Sequence, residues 1–258
     1  MSKIAAAFDH GKAFIAFITC GDPDLETTGR AVKAAVANGA DLIELGIPFS
    51  DPTAEGPVIQ EANLRALKAG TTTDRIFDFV KELRRDVTVP MVFMTYANVI
   101  FSYGAEKFIS TCEKIGIDGL ILPDLPFEEK EEFLPLCRQY HVDLVSLIAP
   151  TSENRVAMIA REAEGFIYLV SSLGVTGTRS EITTDLKPII RTIRGNAKVP
   201  VAVGFGISQP EQAKAMAAIS DGAIVGSAIE KILAQYGKDA PEHIGAYVNS
   251  MKKAVMEA

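Results

Sequence analysis

Short runs of β-branched and apolar residues alternate with longer stretches of helical spacing along the whole chain. The strand-like runs fall at residues 13–20, 42–48, 91–98, 119–125, 144–150, 166–172, 201–207 and 223–227. Between them, segments 25–38, 76–85, 105–115, 128–140, 153–163, 185–194 and 210–219 place apolar residues on one face of a helix. Eight strands alternating with helices predict an α/β fold, a closed parallel (β/α)8 or TIM barrel. An open doubly wound sheet alternates similarly, but eight evenly spaced units favour closure. Further helical material, residues 2–10 before the first strand and 242–257 after the last, is expected outside the barrel or across its bottom.

Two stretches carry helix-start signals. Asp124-Leu-Pro-Phe-Glu-Glu puts acids in a first turn, where they complement the helix dipole. Ser208-Gln-Pro offers a serine cap just ahead of a proline. The 258-residue length suits one barrel, for which roughly 250 residues is usual. With no linker or low-complexity stretch, a single domain over residues 1–258 is expected.

Composition narrows the function. A net charge of −7 argues against a nucleic-acid footprint, which needs a basic face. It leaves a phosphorylated metabolite open, because backbone dipoles bind anions locally. Cys20, Cys112 and Cys137 lie far apart without ligand spacing and read as reduced, mostly buried residues. No signal pattern or apolar run of transmembrane length is present, so a cytoplasmic protein with no membrane association is expected.

Candidate chemistry belongs at the C-terminal ends of the strands, where a barrel builds its active site. In the second strand, alternation puts Ile43, Leu45 and Ile47 on one face and Leu42, Glu44 and Gly46 on the other. The bulky set should face the helices, which turns Glu44 into the barrel. A carboxylate there is either a salt-bridged structural group or a functional one. The following loop adds Asp51, explicable as a turn residue, and Glu55, able to reach over the barrel mouth. Two carboxylates in different surroundings can divide acid and hydrogen-bonding roles. Asp124 is a third polar candidate at the mouth, with helix capping its alternative.

Gly204-Phe-Gly-Ile and Gly226-Ser-Ala-Ile follow the seventh and eighth strands. That is the phosphate location common in such barrels, with Ser227 opening a short helix. Ser171-Ser-Leu-Gly-Val-Thr-Gly-Thr-Arg-Ser follows the sixth strand and reads as a lid or a plain connector. His10, His141 and His243 fall away from the strand ends, and no lysine is placed for a Schiff base. No metal site is expected, and carbon–carbon cleavage here would need carboxylate acid–base chemistry.

The segment Glu44-Leu-Gly-Ile-Pro-Phe-Ser-Asp-Pro-Thr-Ala-Glu-Gly-Pro-Val-Ile-Gln resembles the tryptophan synthase alpha family. Phe17-Ile-Thr-Cys-Gly-Asp-Pro, Tyr96-Ala-Asn, Leu122-Pro-Asp-Leu-Pro and Leu173-Gly-Val-Thr-Gly extend the likeness over nearly the whole chain. The resemblance implies retro-aldol cleavage of indole-3-glycerol phosphate to indole and glyceraldehyde 3-phosphate. It makes Glu44 the general acid–base and puts Glu55 where relatives commonly have an aspartate that binds the indole N–H. It matches Tyr168 to an active-site tyrosine, Phe17 and Tyr96 to pocket residues, and Thr176 to a lid threonine. Gly177, Gly206, Gly226 and Ser227 would hold the phosphate. Ser172 stands where many relatives have an arginine. The resemblance also implies a beta-chain partner that carries pyridoxal phosphate, in an αββα assembly touched by Pro48, Phe49 and Asp51. The alpha chain itself would need no cofactor. A free-standing lyase, a partner-activating subunit and a sugar-phosphate isomerase or condensing enzyme are the alternatives.

Overall fold

The computed structural model describes residues 2–171 and 185–258. Eight parallel strands close into a barrel in sequence order. They are β1 (Ala13–Thr19), β2 (Leu42–Gly46), β3 (Met91–Met94), β4 (Gly119–Ile121), β5 (Asp143–Ile148), β6 (Glu164–Val170), β7 (Val201–Gly204) and β8 (Gly222–Val225). Around them, among the described residues, run α1 (Leu25–Ala37), α2 (Pro57–Lys68), α3 (Thr73–Leu83), α4 (Ala97–Tyr103), α5 (Ala105–Ile115) and α6 (Leu134–Gln139). The series continues with α7 (Glu153–Arg161), α8 (Lys187–Arg194), α9 (Pro210–Ile219), α10 (Ser227–Tyr236) and α11 (Ala240–Met256).

Alternation along the strands divides the core in two. Phe14, Ala16 and Ile18 of β1 and Ile43 and Leu45 of β2 pack outward under the helices. Ile15, Phe17, Leu42, Val92, Met94, Phe166 and Tyr168 fill the barrel. A 3₁₀ turn, Lys3–Phe8, contributes Ile4 to that inner cluster and closes the bottom. α11 lies against α1 and α9, across the seam where β8 meets β1.

Three aspartates stitch strand starts together. Asp41, Asp118 and Asp221 stand just ahead of β2, β4 and β8. Their carboxylates accept the backbone N–H of Phe14, Met91 and Val201 at 2.6, 3.0 and 2.9 Å, at or beside the starts of β1, β3 and β7.

Several elements differ from the sequence expectation. Apart from β6, which starts two residues earlier at the same length, the strands are shorter, because the chain beyond each ladder bends into the loops of the barrel mouth. α4 occupies residues read as the end of the third strand, and α2 has no counterpart in the sequence expectation. The helix expected over 128–140 is divided into a 3₁₀ turn, Phe127–Glu132, and α6. Pro135 fits the division, since it lies in the first turn of α6, where its missing N–H costs no helical bond, whereas inside one continuous helix it would break the ladder. The cap of α9 is Gln209 rather than Ser208, with the Gln212 side chain reaching back to accept from the N–H of both. Among the described residues, no helix is long and apolar enough to cross a membrane.

Candidate active site

β2 carries Glu44 into the barrel, as the alternation of its apolar neighbours requires. The side chain is 1% exposed, and neither carboxylate oxygen has a hydrogen-bond partner among the described residues. Burial, and then the charge of Glu55, push its pKa up to about 8. A buried carboxyl with no structural partner is costly to keep, so its environment marks it as a candidate proton donor and acceptor.

The loop after β2 brings Glu55 to the same cavity. Its carboxylate accepts from Asn63 Nδ2 at 2.6 Å, and its backbone carbonyl accepts from Gln60 Nε2 at 2.7 Å. Burial raises its pKa to about 7, while the Asn63 hydrogen bond pulls the other way. Both amides lie on α2, so this helix aims the second carboxylate. Pro57 in its first turn fits the helical φ and gives up an N–H that would lack a helical partner. Tyr168 of β6 lies across the barrel, with its hydroxyl pKa pushed well up by burial and by Glu44.

Two glycines make room for these side chains. A Cβ on Gly46 would fall 2.7 Å from the Phe17 ring, and one on Gly204 would fall 2.4 Å from Tyr168 Oη. Phe17, Met94, Ile59 and Ile224 supply apolar walls around the acids. Counted with the solvent space at its mouth, the cavity spans about 460 Å³. Phe205 also borders a larger cleft of about 1340 Å³ along the ends of β4 and β5.

The opposite rim is backbone. Gly206, Gly226 and Ser227 line the cavity, and Ser227 begins α10. The partial positive charge of a helix N-terminus therefore faces the space that the carboxylates enclose. Phe205 and Gly206 both adopt positive φ, 75° and 82°. For phenylalanine this is an uncommon conformation of the kind that collects at functional sites. Ser171 fastens it: its hydroxyl donates to the Phe205 carbonyl at 2.7 Å, and its N–H donates to Gly204 at 2.9 Å.

Of the sequence candidates, the cavity brings together Phe17, Glu44, Glu55, Tyr168, Gly206, Gly226 and Ser227. Tyr96 stands behind them. It is buried, its hydroxyl accepts from the Ala54 N–H at 3.1 Å, and its ring meets Phe49 at 5.2 Å. It props the segment that bears Glu55. Asp124 is exposed and accepts from the Ala97 N–H at 3.0 Å, which caps α4 rather than the helical turn after it in sequence. Pro48 is buried, Phe49 half-buried and Asp51 exposed. Thr176, Gly177, Ser172 and the rest of the expected lid lie outside the described residues. Asn63, Phe205 and Ser171 are site residues that the sequence alone does not single out. The proline that opens α2 is the available signal for Asn63; the flanking glycines announce a turn at Phe205, but not the positive φ of the phenylalanine itself.

Comparison with known proteins identifies the family and the fold. The family model described as tryptophan synthase alpha chain matches residues 4–256. A tryptophan synthase alpha chain of Lacticaseibacillus casei is 47% identical over 255 residues, covering 99% of this chain and 96% of its own. The crystal structure of tryptophan synthase subunit alpha from Legionella pneumophila superposes with a TM-score of 0.88 at 34% identity, over the whole of both chains. A structure of the tryptophan synthase a2b2 complex from Pyrococcus furiosus gives 0.85 at 37% identity, covering 93% of this chain and 98% of its own.

Proposed function

The chain belongs to the tryptophan synthase alpha chain family, and from that premise we propose that its barrel mouth cleaves indole-3-glycerol phosphate to indole and glyceraldehyde 3-phosphate. The observation that carries the assignment of roles is the Glu44 carboxyl, unpartnered among the described residues and poised near neutrality beside a second acid. Glu44 in its acid form gives a proton to the indole C3 carbon. The electron pair of the C3–glycerol bond then returns to the ring, and the glycerol hydroxyl loses its proton to the resulting carboxylate. One proton thus passes from oxygen to carbon, the aldehyde forms, and Glu44 regains its acid form.

Glu55, as a carboxylate, accepts the indole N–H and offsets the positive charge of the C3-protonated ring. The longer glutamate side chain is compatible with this task because Asn63 restrains it. Tyr168 and Phe17 enclose the ring, and exclusion of water strengthens the interaction between Glu55 and the developing charge. The phosphate lies at Gly206, Gly226 and Ser227, where the α10 dipole favours a dianion. Gly177 and Thr176 would complete the closure from the sixth loop.

The alpha chain needs no cofactor for this acid–base chemistry. Its product indole would pass to a beta chain bearing pyridoxal phosphate, in an αββα assembly in the cytoplasm. The half-buried Phe49 and the exposed Asp51 offer contacts for that partner, with Pro48 shaping the loop from beneath.

The test is indole release from indole-3-glycerol phosphate, with and without a tryptophan synthase beta chain. Glu44→Gln should lower turnover by about 10²-fold or more, the range of a lost general acid–base. Near-normal turnover would remove Glu44 from the mechanism. Release of no indole by the wild-type chain in either condition would reject the reaction itself.

A further inference from the structure

A second buried acid lies outside the catalytic pair. Glu230 occupies the first turn of α10, the helix whose N-terminus lines the cavity, and is 0% exposed. Its Oε1 accepts from the Thr19 N–H at 2.6 Å, at the end of β1. Its Oε2 is buried and has no donor among the described residues. Asp22, another fully buried carboxylate, lies within side-chain hydrogen-bond reach of Glu230, and so does the Thr19 hydroxyl, which opposes the upward push on the Glu230 carboxyl. Asp22 in turn is held by both arms of Arg65 from α2, at 2.8 and 2.7 Å.

Counting charge decides the protonation. Two buried carboxylates share one guanidinium, and the bidentate contact commits that guanidinium to Asp22. An ionised Glu230 would set a second negative charge against Asp22 with no cation of its own among the described residues, deep in the protein, which is strongly disfavoured. A proton on Oε2 turns the clash into a hydrogen bond to Asp22 and satisfies the orphaned oxygen. Burial and the nearby Asp22 act in the same direction, pushing the Glu230 carboxyl up. The other titratable neighbours are Cys20 beside it and Glu61 beyond Arg65, and the buried face of α11 brings no titratable side chain.

We infer that Glu230 is a positioning residue of the anion site, held as a neutral acid that ties the first turn of α10 to β1, and that its ionisation weakens the binding of phosphate monoesters. This rests on the phosphate reading of Gly206, Gly226 and Ser227. The physical link is proximity. Residues 226 and 230 are four apart, about 6 Å along the axis, and a helical side chain leans back toward the N-terminus. A negative charge there opposes the dipole that attracts the ligand. It also severs the link from α10 through Asp22 and Arg65 to α2, the helix that aims Glu55 with Asn63.

The experiment measures competitive inhibition of indole-3-glycerol phosphate cleavage by glycerol 3-phosphate, from about pH 7.5 to 9.5, where the phosphate stays a dianion. In the wild-type protein the inhibition constant should rise on the order of tenfold or more as Glu230 ionises, since a full unit charge about 10 Å from a dianion at an effective dielectric near 20 would weaken binding by on the order of a hundredfold. In Glu230→Gln a clearly smaller rise should remain across the same range, the part due to Glu44 and Glu55 gaining charge in the same cavity. Parallel rises in both proteins, or a flat profile in the wild type, would overturn the role of Glu230 while leaving the phosphate site intact. No competitive inhibition at any pH in either protein would instead sink the phosphate reading, and this inference with it.

Should Glu230→Gln fail to fold, infrared spectroscopy of the Glu44→Gln, Glu55→Gln double variant decides the matter. A carboxylic-acid C=O band persisting above neutral pH and vanishing in alkali supports a protonated Glu230. Its absence at neutral pH rejects it.

Discussion

Glu44→Gln is expected to stabilise the folded chain in mild alkali by the same change that disables it. In the wild-type protein, burial raises the Glu44 carboxyl from an ordinary 4.5 to about 8. A folded state that holds a proton more tightly than the unfolded chain gains from that proton in acid. The contribution is complete below about pH 4.5 and is lost as the pH rises through about 8. At about 1.4 kcal/mol per pKa unit, the loss from this one group between about pH 5 and 8 is on the order of 3 kcal/mol. That is an upper figure, because buried sites relax around a new charge. Glutamine keeps the shape and carries no proton to lose.

The assay is urea unfolding of both proteins at several pH values across that interval. Glu55 and Glu230 titrate in the same sense in both proteins, so the difference between the two curves isolates Glu44. The stability of Glu44→Gln relative to wild type should grow steadily with pH. Parallel curves would mean that Glu44 is already ionised in the folded state near pH 5, and the acid–base assignment would lose its physical basis.

Individual contacts carry further expectations. Asn63→Ala removes the hydrogen bond that opposes burial at Glu55. The acid limb of kcat/KM should then move up by on the order of one pH unit, narrowing the profile against the fall that Glu44 ionisation sets above about 8; an unmoved limb would show that Asn63 does not tune this group. Gly204→Ala would put a methyl 2.4 Å from Tyr168 Oη. It should cost about 1–3 kcal/mol by overpacking and lower turnover by displacing the ring, whereas wild-type kinetics would exclude a role for the tyrosine's position. Asp124→Ala should lower stability by about 1 kcal/mol through the lost cap of α4, with KM unchanged. A raised KM at unchanged stability would make it a substrate contact instead.

The barrel and its inward acid were legible in the sequence because both rest on a period of two. Ile43 and Leu45 declare the outer face of β2, and Glu44 is then forced inward. The glycine turns after β7 and β8 were legible by position alone. What escaped depended on partners distant in sequence. α4 reads locally as a strand end, Asn98-Val-Ile-Phe being β-branched and aromatic, and its helical start is completed by an aspartate 27 positions on. α2 buries Ala62 and Ala66 alongside Ile59, so its apolar stripe is faint, and without that helix Asn63 could not be placed beside Glu55. Glu230 looks like an ordinary polar residue of an amphipathic helix. Only the closure of β8 against β1 brings it to Thr19 and Asp22.

The three aspartate stitches also bear on how the barrel can be divided. Each joins an odd-numbered strand to the even-numbered one after it, so neighbouring β/α units are tied two by two at β1–β2, β3–β4 and β7–β8. A chain break between such pairs leaves every tie inside one fragment, while a break within a pair separates a donor from its acceptor. Permuted or split versions of the molecule should therefore reassemble more readily when cut ahead of β3 than when cut ahead of β2.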